Sequence, residues 1–435
     1  MPSLEEALRI ILGKVTPLGV ERVDLQSALG RVLAKDMTAT WDMPHYDNSA
    51  RDGFALASAD CTVEGRSLRI TGFVPAGGNV STPVLGGCAV RIMTGAPIPH
   101  NCDAVVPVED TAEADGHVTI MTPVRPRQHV RFQGEDVAAG DTVLTAGTVV
   151  QSQEISVLAS FGKAVVPVYQ KARVAVLSTG DELIELGEPP AAGRIINSNA
   201  QYLAAALREI GAEPVILSIA RDNRESLREQ VLAGLKADAL ITTAGVSAGD
   251  RDLVRGVLAE LGVRQLLWKV DIKPGGPKAF GMKGGTPVFS LPGNPVSTMI
   301  TFEEFVRPAL LRMMGHCRVV RPYVKATLRE EMHKKPGSVH CQSVRIEMEN
   351  GRYIATTTGD HKTCKLRTML GANAVAMLPE EPSVVAAGEE VDVHLLRGDV
   401  GMLEELEGID SCEYDDIALP HEGGTFGGKV RVVKC

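Results

Sequence analysis

The feature of this 435-residue sequence that most constrains its fold is a regular alternation of short apolar runs with helical patterns between Arg173 and Met314. The apolar runs cover residues 174–177, 214–219, 239–242, 265–268 and 287–291, and the helical patterns cover 201–210, 225–235 and 253–261, with a last helix after Asn294. We predict that Asn199 caps the first of these helices. The alternation predicts a doubly wound α/β domain with a parallel sheet.

The rest of the chain follows other patterns. Residues 1–40 have helical spacing and begin with a capping-box pair, Ser3 and Glu6. Short β-like runs between Gly/Pro turns predict a mostly β domain from 41 to about 147, and a helical connector follows at 152–161. Residues 319–400 return to β, with a hairpin signal at Asn350-Gly351. Residues 401–416 hold seven acids and no base, which favours a solvated tail over an interaction segment.

Composition excludes several classes of function. A net charge of −9 argues against a nucleic-acid-binding surface. The eight cysteines form no C-x-x-C pair and the histidines form no H-E-x-x-H motif, so a transition-metal centre is not expected and the thiols are expected to be reduced. The acidic start of the chain is not typical of a signal peptide, and no apolar run reaches the length of a membrane span. We therefore expect a cytoplasmic protein that acts without a membrane.

Three unusual loops of the α/β region follow strands, at 178–182, 242–252 and 291–295. Because ligands bind beyond the carboxyl ends of parallel strands, topology gathers these loops at one edge. Asn294 can cap a helix that starts with Pro295, and free backbone N–H groups there would form an anion site. Gly245, Ser247 and Gly249 would let a ligand approach the backbone. Two well-capped loops without a ligand remain the alternative.

Acids and lysines surround the same edge. Bare carboxylates would repel phosphate, and a Mg²⁺ ion held by one or two carboxylates and substrate phosphates would remove the conflict. A favourable position in the first turn of a helix explains Asp250 equally well. The acids are Asp181, Glu182, Asp250 and Asp252, and the lysines beside the 274–277 Pro/Gly loop are Lys269, Lys273 and Lys278.

Two loops of the first β region, 47–55 and 91–99, are rich in small polar residues. Turn chemistry alone explains both, and a second ligand-facing edge is the alternative.

Taken together, these loops resemble one family, MoeA and the gephyrin E domain, over about residues 1–400. Eight segments that carry the resemblance occur in the family's order, which makes it highly specific. They are “DNSARDGFA” (47–55), “RIMTGAPIP” (91–99), “GED” (134–136), “STGDEL” (178–183), “NSN” (197–199), “GVSAGDRD” (245–252), “KPG” (273–275) and “LPGNPVS” (291–297).

The resemblance implies a molybdopterin molybdenumtransferase. Such enzymes take adenylylated molybdopterin and molybdate, insert the metal with Mg²⁺, and release AMP. It also implies a homodimer whose cleft lies between the α/β domain of one subunit and the first β domain of the other. The implied protein partners are the adenylyltransferase that makes the substrate and the apoenzymes that receive the cofactor.

The sequence patterns and the resemblance together predict how the chain divides into domains. The expected domains are 1–40 plus 138–172 (helical or extended linker and dimerisation), 41–137 (mostly β), 173–318 (α/β, molybdopterin-binding type), 319–400 (C-terminal β) and 401–435 (acidic tail).

Functional positions carry over from the family one at a time. The expected catalytic residues are Asp52, Thr94, Asp136, Glu182, Asp222, Asp252, Lys269 and Lys273, with Glu182 and Asp252 as metal ligands. The expected substrate-binding residues are Gly180, Asp181, Ser198, Gly245, Ser247, Gly249, Pro292, Gly293, Asn294 and Pro295. Since both substrates are anions, positioning and charge neutralisation would carry catalysis without a covalent nucleophile.

The sequence departs from the family pattern in three places. Ala244 replaces a usual glycine, Gly276 replaces the second lysine of “KPGKP”, and 358–369 replaces a Gly/Ser-rich segment. Three alternatives stay open: a tungstate-inserting paralogue, a non-catalytic gephyrin-like scaffold, and the adenylyltransferase, which resembles residues 173–315 alone.

Overall fold

A computed structural model describes residues 1–78, 83–189, 191–244, 253–274, 279–359 and 366–396, together with the backbone of two strands, Tyr414–Ala418 and Lys429–Val433. Those two strands pair with each other in antiparallel fashion, within the region predicted to be an acidic tail. Among the described residues, no helix is both long enough and apolar enough to span a membrane.

The amino-terminal helix, Leu4–Leu12, begins at the predicted capping box, in which the Glu6 N–H donates to Ser3 and the Ser3 N–H donates to Glu6. The prediction that 1–40 is helical is wrong beyond this element. Val20–Asp24 is a strand that pairs antiparallel with Val165–Tyr169, and only the short 3₁₀ turn Gln26–Ala28 follows. Val20 pairs with Tyr169, and Asp24 pairs with Val165. Local helical spacing contains no information about such a distant partner strand.

Two parts of the chain form a linker with its own small core. Buried side chains between Ala28 and Met37 pack against Val150, Leu158, Val166 and Val168. The remaining elements are the strand pair Met37–Thr38 with Thr142–Leu144 and the helix Ser152–Ser160. By contrast, Ala7, Ile11 and Val15 of the amino-terminal segment are buried in the core of the α/β domain.

The first β domain is a six-stranded sheet. Its strands, in spatial order, are Ala104–Pro107, Gly53–Leu56, Cys88–Ile92, Arg66–Val74, His117–Ile120 and Thr111–Ala114. A separate two-stranded pair, Asn48–Ser49 with Val130–Arg131, lies beside it, as do the 3₁₀ turns Ser58–Cys61 and Val108–Asp110.

The α/β domain is doubly wound, as predicted. Val174 and Val176 face one core and Ala175 and Leu177 face another, so helices cover both faces of the sheet. The parallel strands, in spatial order, are Glu213–Ile216, Arg173–Ser178, Ala239–Thr243 and Thr286–Leu291. Ala279–Lys283 then pairs antiparallel with the last of them and with Arg264–Leu267, so the sheet carries one antiparallel strand that the sequence analysis did not include.

The helices of this domain are Ser198–Glu209, Arg224–Gly234, Leu253–Glu260, Pro295–Thr301 and Arg307–Met313, with a π-helical turn at Phe302–Val306 joining the last two. A short parallel pair, Leu183–Ile184 with Ile195–Ile196, projects from the sheet edge.

The C-terminal β domain is a closed five-stranded barrel. Its ring runs through Val339–Glu349, Arg352–Thr357, Tyr323–Leu328, Glu390–Leu395 and Ala374–Leu378, and the last strand pairs back with the first. The predicted hairpin at Asn350-Gly351 is present, with φ of 49° and 77° at the two residues. Smaller elements are the pair Met332–His333 with Val384–Val385 and the helix Arg367–Leu370.

One strand of two residues, Ile272–Lys273, leaves the α/β domain and pairs parallel with the first barrel strand, so that Ile272 lies opposite Val339 and Lys273 opposite His340. This pairing places a predicted catalytic lysine at the junction of the two domains.

Candidate functional site

The carboxyl ends of the parallel strands are joined by a chain of buried hydrogen bonds. The Thr243 hydroxyl donates to Ser178 Oγ (3.0 Å), which donates to Asn197 Oδ1 (2.9 Å). The same Asn197 oxygen accepts from the Ala200 N–H at 3.3 Å and caps the helix Ser198–Glu209, so the prediction that Asn199 is the cap is wrong by two residues. Asn199 instead donates from Nδ2 to the Gly293 carbonyl (2.8 Å) and ties the “NSN” and “LPGNPVS” loops together.

Two of the predicted catalytic and binding acids, Asp181 and Asp222, pair with each other at this edge. The Asp181 N–H donates to Asp222 Oδ2 at 3.4 Å, and the Asp222 N–H donates to Asp181 Oδ1 at 3.2 Å. Gly180 has φ of 143°, and a β-carbon there would lie 2.7 Å from the carboxyl carbon of Glu182. Only glycine therefore lets the Glu182 side chain fold back over the loop.

Asp181 and Glu182 line an open cleft of about 600 Å³ together with two arginines that were not predicted as site residues, Arg194 and Arg221. The Arg194 guanidinium donates to the Asp181 carbonyl, and Arg221 Nη1 donates to the Leu183 carbonyl at 3.1 Å. Positive groups thus offset the local negative charge. Arg221 stands directly beside Asp222 in the sequence, which was the one available signal.

The donor set of the cleft fits Mg²⁺. Among the described residues, no group of three or more His, Cys, Asp or Glu side chains is arranged to bind a metal ion. Magnesium, however, is usually held by one or two carboxylates plus substrate phosphates. Glu182, beside the Asp181–Asp222 pair in an open cleft, is a carboxylate of the required kind.

The loop before Pro295 is capped as predicted. Asn294 Oδ1 accepts from the N–H groups of Val296 (3.1 Å) and Ser297 (3.4 Å), and the Thr298 hydroxyl donates to the Pro292 carbonyl at 2.5 Å. The cap uses the N–H groups of Val296 and Ser297, which were predicted to be free to bind an anion. This loop therefore shapes the edge rather than presenting an open helix end.

The glycine-rich motif “GVSAGDRD” (245–252) lies outside the described residues, and with it the predicted Gly245, Ser247, Gly249, Asp250 and Asp252. Ala244, the residue directly before this motif, is described. Ala244 has φ of 69°, and a β-carbon at Gly293 would lie 3.1 Å from the Ala244 β-carbon. The alanine that departs from the family pattern thus adopts a backbone conformation that favours glycine.

The predicted lysines belong to a later segment of the α/β domain than Asp181, Glu182 and Asp222. Lys269 is exposed, and Lys273 is half-buried beside the barrel and precedes a cis bond to Pro274. Lys278 and Gly276 lie outside the described residues, as do 360–365 of the segment that departs from the family. Within that segment Thr358 donates to the Ser343 carbonyl at 3.3 Å.

A second cavity, of about 240 Å³, lies between the helix Leu253–Glu260 and the sheet. Trp268, Phe280 and Val288 line it, and the Arg255 guanidinium lies 4.6 Å from the Trp268 ring centroid. An apolar slot with an aromatic wall and a cation suits a flat heterocycle.

The first β domain brings its two motif loops into contact. Asp52 Oδ1 accepts from the Thr94 N–H (2.6 Å) and from the Thr94 hydroxyl (2.8 Å). These hydrogen bonds, the one from the backbone first, hold the pKa of Asp52 below its usual value. Asp52 is therefore a fixed, ionised carboxylate at the surface.

The “GED” loop lies next to the same region. The Gln133 N–H donates to Asp47 Oδ1 at 2.8 Å, and Gln133 Nε2 donates to Asp42 Oδ2 at 2.7 Å. The Asp136 N–H donates to the Met43 carbonyl (3.1 Å), and its side chain is exposed. Three motifs that are far apart in the sequence therefore form one surface of the first β domain.

Hydrogen bonds do not connect these two groups of residues in the described part of the chain. Across the part of the chain that the structure describes, no hydrogen bond joins Asp52 or Thr94 to Asp181, Glu182 or Asp222.

Family profiles match nearly all of these regions. The profile described as “MoeA N-terminal region (domain I and II)” matches residues 2–162, “Probable molybdopterin binding domain” matches 175–312, and “MoeA C-terminal region (domain IV)” matches 325–396. The chain belongs to the MoeA family. The resemblance found in the sequence is thereby confirmed.

Curated MoeA relatives cover most of the chain. A molybdopterin molybdenumtransferase of Nostoc sp. is 34% identical over 405 residues, which are 90% of this chain and 93% of that protein. The molybdopterin molybdenumtransferase 2 of Mycobacterium tuberculosis is 35% identical over 403 residues, 90% of this chain and 99% of that protein.

Among solved structures, a MoeA molybdopterin biosynthesis protein from Pyrococcus horikoshii superimposes with a TM-score of 0.80 at 29% identity, covering 91% of this chain and 99% of that one. The predicted fold class, a molybdopterin-binding α/β domain flanked by β domains, is confirmed by this match.

Proposed function

We propose that this MoeA-family chain is a molybdopterin molybdenumtransferase that inserts molybdate into adenylylated molybdopterin and releases AMP. The relatives of that name, at 34–35% identity over 90% of the chain, support the transferase class. The observation that carries the site assignment is the cleft in which Asp181 and Glu182 meet Arg194 and Arg221, with Asp222 hydrogen-bonded to Asp181. Both substrates are anions, and a cleft of mixed charge can hold an anion and a cation together.

Residues of the cleft have distinct roles in this proposal. Arg194 and Arg221, held by backbone carbonyls, meet phosphate oxygens, and the Asp181–Asp222 pair fixes the loop that carries Glu182. Glu182, with Asp252 of the neighbouring motif, would hold Mg²⁺. When bound, the ion would neutralise phosphate charge as AMP leaves. The slot beside Trp268 would receive a flat ring of the substrate.

The first test is single-turnover release of AMP from adenylylated molybdopterin with Mg²⁺, in the absence of oxyanion, with molybdate and with tungstate. Molybdate-stimulated release supports the proposal, and a preference for tungstate identifies the tungsten-inserting alternative. Glu182→Gln should lose release by a factor of about 100 or more if Glu182 helps hold the ion. Glu188→Gln, an exposed acid of the adjacent loop, is the matched control and should retain it. Equal activity of the two variants would remove Glu182 from the site.

We further propose that a second copy of the chain completes the cleft with its Asp52–Thr94 surface. The support is that both surfaces carry motif residues, yet no hydrogen bond joins them among the described residues of one chain. Co-expression of Asp52→Asn and Glu182→Gln chains tests this directly. In a symmetric dimer with shared sites, mixed dimers regain one intact site, so about a quarter of wild-type activity should return from two inactive parents. No recovery in isolated mixed dimers would place each site within one chain.

A further inference from the structure

Two non-glycine residues of the first β domain, Arg127 and His129, have left-handed backbone conformations, with φ of 66° and 54°. The backbone shape has a structural use, since the Arg127 N–H donates to the Asp103 carbonyl (2.9 Å) and the His129 carbonyl accepts from the Ala50 N–H (2.9 Å). Glycine or asparagine would give the same shape with less strain. Histidine also enters this region more readily than most residues, so the residue type that calls for an explanation is Arg127.

The described contacts of the Arg127 side chain do not account for an arginine at this position. Its guanidinium lies 4.8 Å from the centroid of the Phe132 ring, and the side chain is exposed. A cation–π contact at an exposed site stabilises the fold by less than the strain of a left-handed arginine destabilises it. Backbone strain of this kind is typical of functional sites, where the strained side chain serves a ligand.

Arg127 belongs to a cationic stretch, residues 125–131, that contains no acid. Its basic and titratable side chains occupy alternate positions, namely Arg125, Arg127, His129 and Arg131. In the described part of this domain Arg91 pairs with Glu113, whereas no carboxylate there forms an ion pair with a side chain of the cationic stretch. In a chain with a net charge of −9, neighbouring cations without acidic partners favour an anionic ligand.

The cationic stretch lies on the surface that carries the motif residues of the first β domain. Arg131 pairs with Asn48 of “DNSARDGFA”. Acids of this surface accept hydrogen bonds from uncharged groups: Glu135 Oε2 accepts from the Phe132 N–H at 2.7 Å, and Asp52 accepts from Thr94. These bonds hold the acids in place without using the arginines of the stretch.

We propose that Arg127 is a phosphate-binding residue of the Asp52–Thr94 surface, and that its ligand is a phosphate group of the substrate. In the bound state the guanidinium donates two N–H groups to phosphate oxygens, and its contact with the Phe132 ring fixes the guanidinium plane. The identification of this phosphate as that of adenylylated molybdopterin rests on the proposed function, whereas phosphate binding at Arg127 does not.

Calorimetric titration with sodium pyrophosphate tests the site without any turnover. Affinity of the wild-type protein should fall as NaCl rises from about 50 to about 300 mM, because salt screens exposed charges. Arg127→Asn should bind pyrophosphate about tenfold more weakly at the lower salt concentration and depend less on salt. Arg127→Lys keeps the charge but not the planar fork, so its affinity should lie between the two. Arg66→Asn, which removes an exposed arginine of the same domain, is the matched control and should bind as the wild type does.

Thermal unfolding without a ligand separates binding from folding. The melting temperatures of Arg127→Asn and Arg127→Gly should equal or exceed that of the wild type, because asparagine and glycine adopt the left-handed conformation with less strain. A clear fall in both variants would show that the arginine serves the fold and would overturn the inference. Wild-type affinity for pyrophosphate in Arg127→Asn, or no pyrophosphate binding by the wild type, would overturn it as well.

Activity then distinguishes this inference from the proposed function. Arg127→Asn should raise the KM for adenylylated molybdopterin in AMP release about tenfold, with kcat nearly unchanged, since the contact binds a phosphate that is charged throughout the reaction. If AMP release by Arg127→Asn is normal at every substrate concentration, the inference is refuted and the transferase stands. If the wild type releases no AMP but still binds pyrophosphate through Arg127, the transferase is refuted and phosphate binding at Arg127 stands.

Discussion

The contact between Ala244 and Gly293 supports a quantitative prediction about the sheet edge. Ala244 has φ of 69°, a conformation that costs an alanine about 1–2 kcal/mol. Glycine removes this strain but gains freedom in the unfolded chain, which costs about 0.4–1 kcal/mol. Ala244→Gly should therefore raise the free energy of unfolding by about 0.5–1 kcal/mol, the difference between the two effects.

Gly293→Ala should act in the opposite direction, and only while Ala244 is present. A new β-carbon at 293 would lie 3.1 Å from the Ala244 β-carbon, which is overpacked, and such strain costs about 1–2 kcal/mol. In the Ala244→Gly background the nearest remaining atom is the 244 α-carbon, at an ordinary 3.6 Å. The double variant should then be more stable than the sum of the two single effects by about 1 kcal/mol or more.

Urea unfolding followed by the fluorescence of Trp268, in a Trp41→Phe background, reports on this domain because the chain has only two tryptophans. Gly285→Ala is the matched control, since a β-carbon there meets nothing within 4 Å. It should combine additively with Ala244→Gly. Additivity of the Gly293→Ala pair within about 0.5 kcal/mol, or destabilisation by Ala244→Gly alone, would refute the steric reasoning.

Three other changes test separate parts of the structure. Thr94→Val removes the hydroxyl donor of the fixed carboxylate in the first β domain, and should lower AMP release about tenfold while thermal unfolding stays near that of the wild type. Gly180→Ala should displace the Glu182 carboxylate, which a β-carbon would contact, so the Mg²⁺ concentration for half-maximal activity should rise; an unchanged Mg²⁺ dependence would contradict the proposed ion site. Burial lowers the pKa of His394, but the hydrogen bond and the charge of Glu304 outweigh burial and raise the pKa overall. The His394–Glu304 pair therefore stabilises the fold below about pH 6.5. This stabilisation is lost as the pH rises through the raised pKa of His394. Glu304→Gln should therefore destabilise most at about pH 5.5–6.5, measured as urea unfolding across pH, and a loss independent of pH would contradict the ionic account.

Much of the fold was accessible from the sequence because local patterns and tertiary structure agree there. The central strands are continuous apolar runs buried on both faces, and the hairpin at Asn350-Gly351 has turn residues that specify it. The strand Val20–Asp24 was missed because its partner lies at the far end of the linker. The antiparallel strand Ala279–Lys283 was missed because Gly281 interrupts its apolar pattern.

The residues of the candidate site were also predicted only in part. Motifs gave Asp181, Glu182, Asp222, Asp52 and Thr94, and the structure brings the first three together and pairs the last two. Arg194 and Arg221 were not predicted, because hydrogen bonds to backbone carbonyls hold them at the cleft and neither residue type nor spacing reveals such bonds.

The position of the amino-terminal helix has a consequence for synthesis of the chain. Ala7 and Ile11 are buried in a core that includes residues as late as Val375, and the Leu18 N–H donates to the Met313 carbonyl at 2.7 Å. At about 5–20 residues per second, roughly 300 residues must be made before that partner exists, a delay of about 15–60 s. Throughout that interval the apolar face of the helix is uncovered on the nascent chain. This helix is therefore synthesised long before the core that buries it exists.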